Sequence, residues 1–571
     1  MRYKELAEFY EAAGATTKRL EKIAILEKFL KHLPEKDKDV LYLLLGDIYP
    51  EYDERRIGIS NQLAIKAIAK ATGIQESQVL HEWKTIGDLG KVAEKLTEEK
   101  RQSTLHHHVL TTEKVLENMR KLPGMEGKGT INKKLSLITE LLTSASPVEA
   151  KYLIRTLIGD LRIGVKESTV RDAIASGFFE SKKDAAKKVQ DAIDKSNDLA
   201  EVFDMIKQGK THELGRIHLE VGKPIKVMLA QKAKTIHEAF EAVGVPCAVE
   251  YKYDGFRMLI HKKGSTISLF TRRLENVTKQ FPEVVDYIKK YVKGESFILD
   301  SEAVGYDMET KEYKPFQKIS QRIRRKYDIE KLKKELPVEV NVFDILYYDG
   351  KSLLDKPFKE RTALVKKIIK NHPYRIIHAK QIITDSESKA EKFYKQALRD
   401  HQEGVMIKNL NAVYQPGRRV GHMLKIKPEE RDLDLVITGG EYGTGKRSGW
   451  LSSFILSCRG EKGKFLEIGK VGTGIKEKET GKEGGISFGE LTEKLKPYII
   501  KEKGKTVEIK PKIVVSVTYQ EIQHSPNYNS GFALRFPRFT ALRPDRSAND
   551  CSSLEEVKKD FEGQKRNWRY G

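Results

Sequence analysis

A lysine set between carboxylates is the most reactive arrangement that the sequence offers. In the segment CAVEYKYDGFRMLIHK, residues 247–262, Glu250, Lys252 and Asp254 occupy alternate positions before a turn dipeptide, Asp254-Gly255, that can close or border a hairpin. Alternate side chains of a strand share a face, so these three charged groups lie together, opposite the apolar and aromatic residues between them. A lysine amine attacks only when neutral, and charged neighbours control its protonation. The segment predicts a nucleophilic lysine, although an exposed strand with salt bridges has the same pattern.

Polar side chains at two-residue spacing recur in other strand-like segments. They are Asp300 and Glu302 in FILDSEAVGYD, and Lys425 and Lys427 in HMLKIKP. A further segment, EGVMIK, places Glu403 next to a glycine and ends in Lys408. Carboxylates can hold a divalent cation, and lysines can bind phosphates. Several such strands together predict a polar pocket built on a sheet.

The elements that position these residues change in type along the chain. Residues 1 to about 215 have apolar residues at spacings of three and four, which predicts an all-α domain. After Gly222–Pro224, short alternating strands mix with helical stretches, as in an α+β domain. From about Asp432, short strands separated by glycine-rich turns predict a small β-barrel, and Ser553–Tyr570 predicts a charged final helix. The expected domains are 1–220, 221–430 and 431–571.

Composition narrows the class of protein and its partners. A chain of 571 residues is too long to fold around one hydrophobic core, so we expect more than one domain. The net charge of +23 favours a polyanionic partner such as DNA. Three scattered cysteines exclude a disulfide framework and a four-cysteine zinc site, which fits a reducing cytoplasm. The charged N-terminus does not resemble a signal peptide, and no apolar run of membrane-spanning length occurs, so we expect no membrane partner.

Seven segments occur in an order that resembles one superfamily. They are Lys252-Tyr253-Asp254-Gly255 as KxDG, FTRRLENVT, ILDSEAVGYD, VNVFDILYYDG, EGVMIK, HMLKIK followed by LDLVI, and LRFPRFTALRPDRS. This series resembles the nucleotidyltransferases that comprise DNA ligases, RNA ligases and mRNA capping enzymes. A lone KxDG would be weak evidence, but the ordered series over about 300 residues is specific.

Further segments resemble ATP-dependent DNA ligases of the archaeal and eukaryotic replicative type, with the composition most like the archaeal members. They are LLLGDIYPEYDERRIGIS and LIGDLRIGVKESTVRDAIA in the helical region, KPIKVMLAQ before the first motif, and RFPRF before the last. The resemblance implies an all-α DNA-binding domain, an α+β adenylation domain and an OB-fold domain. It also implies nick sealing in replication, recombination and repair. ATP is favoured over NAD as the cofactor because the NAD-dependent relatives carry a four-cysteine zinc module, which the three scattered cysteines of this chain cannot form.

The resemblance also implies a role for each site residue. Lys252 attacks ATP and carries AMP, which passes to the 5′-phosphate at the nick before the 3′-hydroxyl attacks. For the nucleotide, we expect Glu250 to contact the adenine edge, Phe343 to stack on the base, and the ribose and phosphates to be surrounded by Arg257, Arg272, Glu302 and Arg419. The expected ligands of Mg²⁺ or Mn²⁺ are Glu403 and Glu302. We expect Lys425 and Lys427 to lower the pKa of Lys252 and to offset phosphate charge, and Arg543 and Arg546 to orient pyrophosphate. Arg546 departs from the family's RxDK, because arginine replaces the final lysine.

The sequence also indicates the partners of the protein and leaves alternative functions open. The resemblance implies a monomer that binds nicked duplex DNA in an archaeal cell, near the nucleoid, and whose β-barrel rotates about a linker near Pro428–Asp432. A glutamine-led segment at Gln102 resembles a sliding-clamp motif without its paired aromatics. Residues 439–448 nearly match a phosphate-binding loop, but Arg447 replaces its hydroxyl residue, which favours a hairpin loop. An RNA ligase or capping guanylyltransferase, and a non-catalytic DNA-binding protein, are the alternative functions.

Overall fold

The computed structural model describes residues 1–571 except 54, 100–108, 126, 128, 181, 324, 326, 429–430, 445–446, 478–485 and 571. The Gln102 segment therefore lies outside the described residues. The chain forms two compact units, Met1–Ile426 and Lys427–Gly571. No helix in the described part of the chain is long and apolar enough to cross a membrane.

The first part of unit one is helical, as the apolar spacing predicts. Its helices are α1 (Tyr3–Ala15), α2 (Arg19–His32), α3 (Val40–Leu44), α4 (Asn61–Thr72), α5 (Glu76–Ile86), α6 (Leu89–Glu98), α7 (Thr112–Lys121), α8 (Thr130–Ser144), α9 (Pro147–Leu157), α10 (Glu167–Phe178), α11 (Lys182–Ser196) and α12 (Leu199–Lys207). Local signals set their ends: the Ser60 hydroxyl accepts from the Leu63 N–H at the start of α4, and Gly73 ends that helix in the left-handed region. One continuous apolar core joins α1 to α12.

The second part of unit one contains two sheets with helices around them. The strands are β1 (Leu229–Lys232), β2 (Cys247–Lys252), β3 (Phe256–Lys263), β4 (Thr266–Thr271), β5 (Ser296–Tyr306), β6 (Tyr313–Lys314), β7 (Val338–Tyr348), β8 (Lys351–Ser352), β9 (Ile376–His378), β10 (Gln381–Thr384), β11 (Gly404–Asn409) and β12 (Arg419–Ile426). The helices are α13 (Ile236–Val243), α14 (Pro282–Tyr291), α15 (Phe316–Ile323), α16 (Ile329–Glu335), α17 (Phe358–Ile368) and α18 (Glu387–Arg399). One sheet has the order β1-β12-β11-β2-β10, and the other has β4-β3-β5-β7-β8, with β6 beside β5 and β9 beside β7.

The turn after Lys252 passes the chain from one sheet to the other. β2 and β3 do not pair, and the Asp254-Gly255 dipeptide borders the β3–β4 hairpin. A Cβ atom at Gly255 would overlap the carbonyl oxygen of Ala303 on β5. Only glycine allows this approach, so the fourth residue of the KxDG motif lets the second sheet lie directly beside the end of β2.

Unit two is rich in strands, as predicted. Its elements are β13 (Arg431–Tyr442), β14 (Leu451–Arg459), β15 (Phe465–Val471), α19 (Phe488–Leu495), β16 (Ile499–Lys503), β17 (Thr506–Ile509), β18 (Val514–Tyr519), β19 (Glu521–His524), β20 (Phe532–Arg535), β21 (Arg538–Leu542) and α20 (Leu554–Tyr570). The main sheet has the order β15-β14-β13-β17-β16, and β18 joins β13 to β21. Residues 439–448 span the end of β13 and the connection to its antiparallel partner β14, in agreement with a hairpin loop. Arg431 and Asp432, at the end of the predicted linker, belong to β13 and pair with β18.

A buried histidine holds the segment that joins the helical region to the sheets. The Nδ1 atom of His261, on β3, accepts the N–H of Gly222 at 3.0 Å. Burial lowers the pKa of His261 to about 3, so the imidazole stays neutral and keeps this acceptor at neutral pH.

This burial predicts an acid-sensitive contribution to stability. Below an ordinary histidine pKa of about 6.5, His261 binds a proton in the unfolded chain but not in the folded chain. The free energy of unfolding therefore falls as the pH drops from about 6.5 towards 3. At pH 5 the loss is about 2 kcal/mol. Urea unfolding at pH 7 and pH 5 should show a smaller loss for His261→Gln than for the natural protein. The remaining histidines are common to both chains, so an equal loss would contradict the prediction.

Candidate active site

Lys252 ends β2 and faces the carboxylate of the residue that immediately precedes β11, the neighbouring strand in the sheet. Its Nζ atom lies 2.9 Å from the Oε2 atom of Glu403, and the Glu403 N–H donates to the Lys252 carbonyl at 2.9 Å. The register pairs Lys252 with Gly404 at the start of β11, which places Glu403 beside it. The alternation predicted for β2 is confirmed, because Val249 and Tyr251 pack in an apolar core on the opposite face.

The surroundings of Lys252 favour its charged form. Burial lowers the pKa of this lysine, but the negative charges of Glu403, Glu302 and Asp254 outweigh burial and raise it. The sequence-based expectation was a lowered pKa caused by Lys425, Lys427 and a metal ion. For the protein alone that expectation is wrong, because the groups nearest the amine are carboxylates.

Glu302 lies on β5, opposite Arg257 of β3. The pKa of Glu302 is raised to about 8, chiefly by burial and also by the charges of Glu403 and Asp300, against the opposing effects of Lys252 and Arg257. The turn at Gly255 therefore brings one carboxylate from each sheet to the same lysine. Within the described residues no group of three or more metal-ligating side chains occurs. Two carboxylates nonetheless suit Mg²⁺, which binds proteins through one or two carboxylates and completes its shell with water and substrate phosphates.

Arg257 is fixed by a buried network. Its Nε and Nη2 atoms donate to the two oxygens of Asp300 at 2.8 and 2.5 Å, and Nη1 donates to the Met228 carbonyl at 2.7 Å. The Tyr414 hydroxyl donates to Asp300 at 2.8 Å. The guanidinium carbon lies 5.4 Å from the centre of the Phe343 ring, so Arg257 links this network to the aromatic ring.

Two further arginines add positive charge beside Arg257. Burial lowers the pKa of Arg272, and the charges of Arg257 and Arg419 lower it further, so the three guanidinium groups influence one another. Arg419, at the start of β12, donates to the Ala230 carbonyl at 2.9 Å and remains exposed. Cations brought together in this way need an anion, and phosphate is the anion that arginine binds with two parallel hydrogen bonds.

An ion pair of Glu250 with Lys408 lies beside the ring of Phe343. Glu250 is buried on β2, and its Oε2 atom is 2.5 Å from Lys408 Nζ. Lys408 Nζ lies 4.7 Å from the centre of the Phe343 ring, which is only partly buried. A planar base could stack on this ring with its edge towards Glu250.

Sequence reasoning missed the groups that support this pocket. Arg361 of α17 donates to both oxygens of Asp344 at 2.7 and 3.1 Å and to the Ala412 carbonyl at 3.1 Å. Gln381 of β10 and Tyr414 were not identified either. Arginine in an amphipathic helix and glutamine at a strand end are ordinary surface patterns, so no local signal distinguishes them.

The remaining predicted residues lie at or beyond the end of unit one. Lys425 is in β12, whose register places it opposite Met406 of β11, and Lys427 begins unit two. Within unit two, Arg543 and Arg546 both contact Asp434 Oδ2, at 2.7 and 3.1 Å. Arg543 also pairs with Asp545 at 2.7 Å. The two arginines are thus held by one carboxylate of β13.

Comparisons with known proteins agree with this arrangement. The family model described as "ATP dependent DNA ligase domain" matches residues 227–427, and models of the DNA ligase N terminus and the ATP-dependent DNA ligase C-terminal region match residues 2–175 and 447–546. The curated DNA ligase of Nanoarchaeum equitans is 46% identical over 99% of both chains. The chain belongs to the ATP-dependent DNA ligases. Other family members of similar length include the DNA ligases of Thermococcus onnurineus, 41% identical over 99% of both chains, and of Archaeoglobus fulgidus, 40% identical over 98% of both chains.

Family membership makes the protein an enzyme that seals nicks in DNA with ATP, through a covalent AMP intermediate. A solved structure titled Pmar-Lig_PreS3 covers 94% of this chain and 99% of its own, at 18% identity and a TM-score of 0.58. That similarity supports the ligase fold alone. The predicted architecture of a helical N-terminal region, a nucleotidyltransferase domain and a strand-rich C-terminal region is confirmed.

The ion pair at Lys252 predicts a measurable change in amine reactivity. Because Glu403 helps to raise the pKa of Lys252, Glu403→Gln should move the onset of amine reactivity to lower pH. The rate at which an amine-selective reagent labels Lys252, followed by peptide mass spectrometry without nucleotide, measures this shift. Glu441→Gln, which removes an exposed carboxylate 2.5 Å from Lys470, is the matched control and should leave the Lys252 profile unchanged. A Glu403→Gln profile that coincides with that of the natural protein would refute this account.

Proposed function

We propose that Lys252 is the residue that carries AMP in nick sealing. Its amine would form a bond to the α-phosphorus of ATP while the bond to pyrophosphate breaks and the amine loses its proton. The 5′-phosphate of the nick would then displace the lysine, and the 3′-hydroxyl would displace AMP. The observation that carries the proposal is the 2.9 Å contact between the Lys252 amine and the Glu403 carboxylate.

Glu403 and Glu302 are the proposed ligands of a divalent cation, Mg²⁺ or Mn²⁺. When bound, such an ion would supply positive charge that offsets the charge of the phosphates and of the two carboxylates. The residues fit the ion because both are carboxylates close to Lys252, and burial makes an uncompensated charge on Glu302 costly. Proton loss from Lys252 then becomes easier, since the same carboxylates are what raise its pKa in the protein alone.

The rest of the pocket would position ATP. Phe343 stacks on the adenine and Glu250 accepts from its edge, while Arg257, Arg272 and Arg419 take the ribose and phosphates. Lys425 and Lys427 offset negative charge at the reacting phosphate. Electrostatic groups fixed in advance stabilise a phosphoryl-transfer transition state because they need little reorganisation during the reaction.

Unit two would act on the leaving group. We infer that residues 431–571 form an OB-fold, and that Arg543 and Arg546 orient pyrophosphate during the first step. Asp434 holds both arginines in unit two, and the final arginine retains the positive charge of the family's lysine. A rotation near residues 428–432 would bring these arginines to ATP and then release the site for DNA.

Residues 1–220 are the proposed DNA-binding domain and residues 221–430 the adenylation domain. We propose that the protein is a monomer whose domains encircle the nicked duplex, and that the segment at Gln102 contacts a sliding clamp. The net charge of +23 supports the DNA contacts, because a cationic surface displaces the counterions of duplex DNA.

Removing the nucleophile should separate the first step from the last. Lys252→Ala should abolish covalent labelling by α-labelled ATP on a denaturing gel, while the variant should still seal a nick that already carries AMP on its 5′-phosphate. Lys263→Ala, at the exposed end of β3, is the control and should be labelled like the natural protein. Covalent labelling of the Lys252→Ala protein would refute the proposed nucleophile.

DNA binding should depend strongly on salt. If the ligase contacts about 6–10 phosphates, its affinity for a nicked duplex should fall by about 10³–10⁵ between 50 and 200 mM salt. Fluorescence anisotropy of a labelled nicked duplex over a salt series measures the slope. An affinity that does not change with salt would show that the basic surface does not provide the binding free energy.

A further inference from the structure

Both oxygens of the Glu250 carboxylate receive hydrogen-bond donors from within the protein. Lys408 Nζ lies 2.5 Å from Oε2, and the Gln381 side-chain N–H donates to Oε1 at 2.7 Å. β2 runs between β10 and β11, and the register places Gln381 directly opposite Glu250. Glu250 is only 2% exposed, so these two contacts fix its direction.

The orientation of the Gln381 amide is determined by its neighbours. Its oxygen accepts from Lys366 Nζ at 2.8 Å, and its nitrogen also donates to the Thr362 hydroxyl at 3.2 Å. A lysine ammonium can only donate, so the amide oxygen must face Lys366 and the NH₂ group must face Glu250. Gln381 is therefore a fixed donor at this carboxylate.

Lys408 is equally constrained. Its Nζ atom lies 4.7 Å from the centres of both the Phe343 and Phe358 rings. An ammonium group over an aromatic face is attracted by the ring, so the two rings hold Lys408 against Glu250. The same lysine thus links the carboxylate to the ring on which we propose that the base stacks.

These contacts leave Glu250 with acceptor positions only. A carboxylate that receives donors on both oxygens can offer its remaining lone pairs to a donor, but it has no hydrogen to give. Adenine presents an amino group at position 6, which is a donor, whereas guanine and hypoxanthine present an acceptor oxygen there. An acceptor facing another acceptor leaves both groups unpaired, and burial makes that arrangement unfavourable.

We propose that Gln381 is a specificity-determining residue which, with Lys408, keeps Glu250 an acceptor so that the site takes 6-amino purine nucleotides and rejects 6-oxo ones. The inference rests on the proposed function, in which Glu250 faces the base edge of a nucleotide bound next to Lys252. Gln381 is a positioning residue, since it acts through Glu250 and not on the nucleotide itself.

The test compares covalent labelling of the enzyme by α-labelled ATP, ITP and purine riboside triphosphate. ITP differs from ATP by the 6-oxo group and the ring hydrogen that accompanies it, and purine riboside has only hydrogen at that position. In Gln381→Leu, the ratio of kcat/KM for ATP to that for ITP should fall by about tenfold to a hundredfold, which is the range expected for a misdirected buried hydrogen bond. The loss should be in KM for ATP, with kcat changed by less than about threefold, and the advantage of ATP over purine riboside triphosphate should shrink in parallel.

Two further variants make the result decisive. Gln321→Leu replaces an exposed glutamine that donates to the Lys318 carbonyl, and it should retain the natural ratio. Thr362→Val removes only the hydroxyl contact to Gln381, so it should lower the ratio in the same direction by a smaller factor even if Gln381→Leu does not fold. An unchanged ATP-to-ITP ratio in a folded Gln381→Leu or Thr362→Val protein would overturn the inference. Failure of the natural protein to be labelled at Lys252 would instead refute the proposed function.

Discussion

Pairing of buried charge is the interaction on which this active site depends. A charge removed from water costs several kcal/mol unless a partner and hydrogen bonds compensate it, and removing one partner leaves the other uncompensated. Four ion pairs around the candidate site meet this requirement: Lys252 with Glu403, Arg257 with Asp300, Arg361 with Asp344, and Lys408 with Glu250. Each joins residues of different elements, so the pairs that stabilise the charges also set the positions of the strands.

The same pairing raises the pKa of Lys252, the proposed nucleophile, in the protein alone. The carboxylates beside Lys252 hold it as an ammonium ion, which cannot attack a phosphate. The partner that makes burial of the lysine tolerable thus also suppresses its chemistry until other groups engage the carboxylates. The donors on both oxygens of Glu250 have a comparable consequence for the proposed recognition of the base, because they restrict this carboxylate to accepting hydrogen bonds.

Gly255 connects this electrostatic requirement to the fold. Any side chain at this position would overlap the backbone of β5, and the strand would have to move away. The two sheets could then not present Glu302 and Glu403 to the same lysine. The KxDG motif therefore combines the proposed nucleophile with the small residue that allows its surroundings to assemble, which is a steric reason for the two to occur three residues apart.

The sequence by itself determined the class of each region, the alternation of β2 and β5, and the residue types of the site, because these follow from local periodicity and from motifs in a fixed order. It also determined the family. Only the tertiary structure decided that β2 and β3 lie in different sheets, that Arg257 is fixed by Asp300, and that Gln381 contacts Glu250 from more than 130 positions away. For the protein alone it also raised the pKa of Lys252, whereas the sequence-based expectation, which included a bound metal ion, was a lowered pKa. Strand pairing and desolvation depend on which distant groups meet and how much water they exclude, and neither quantity is encoded in local spacing.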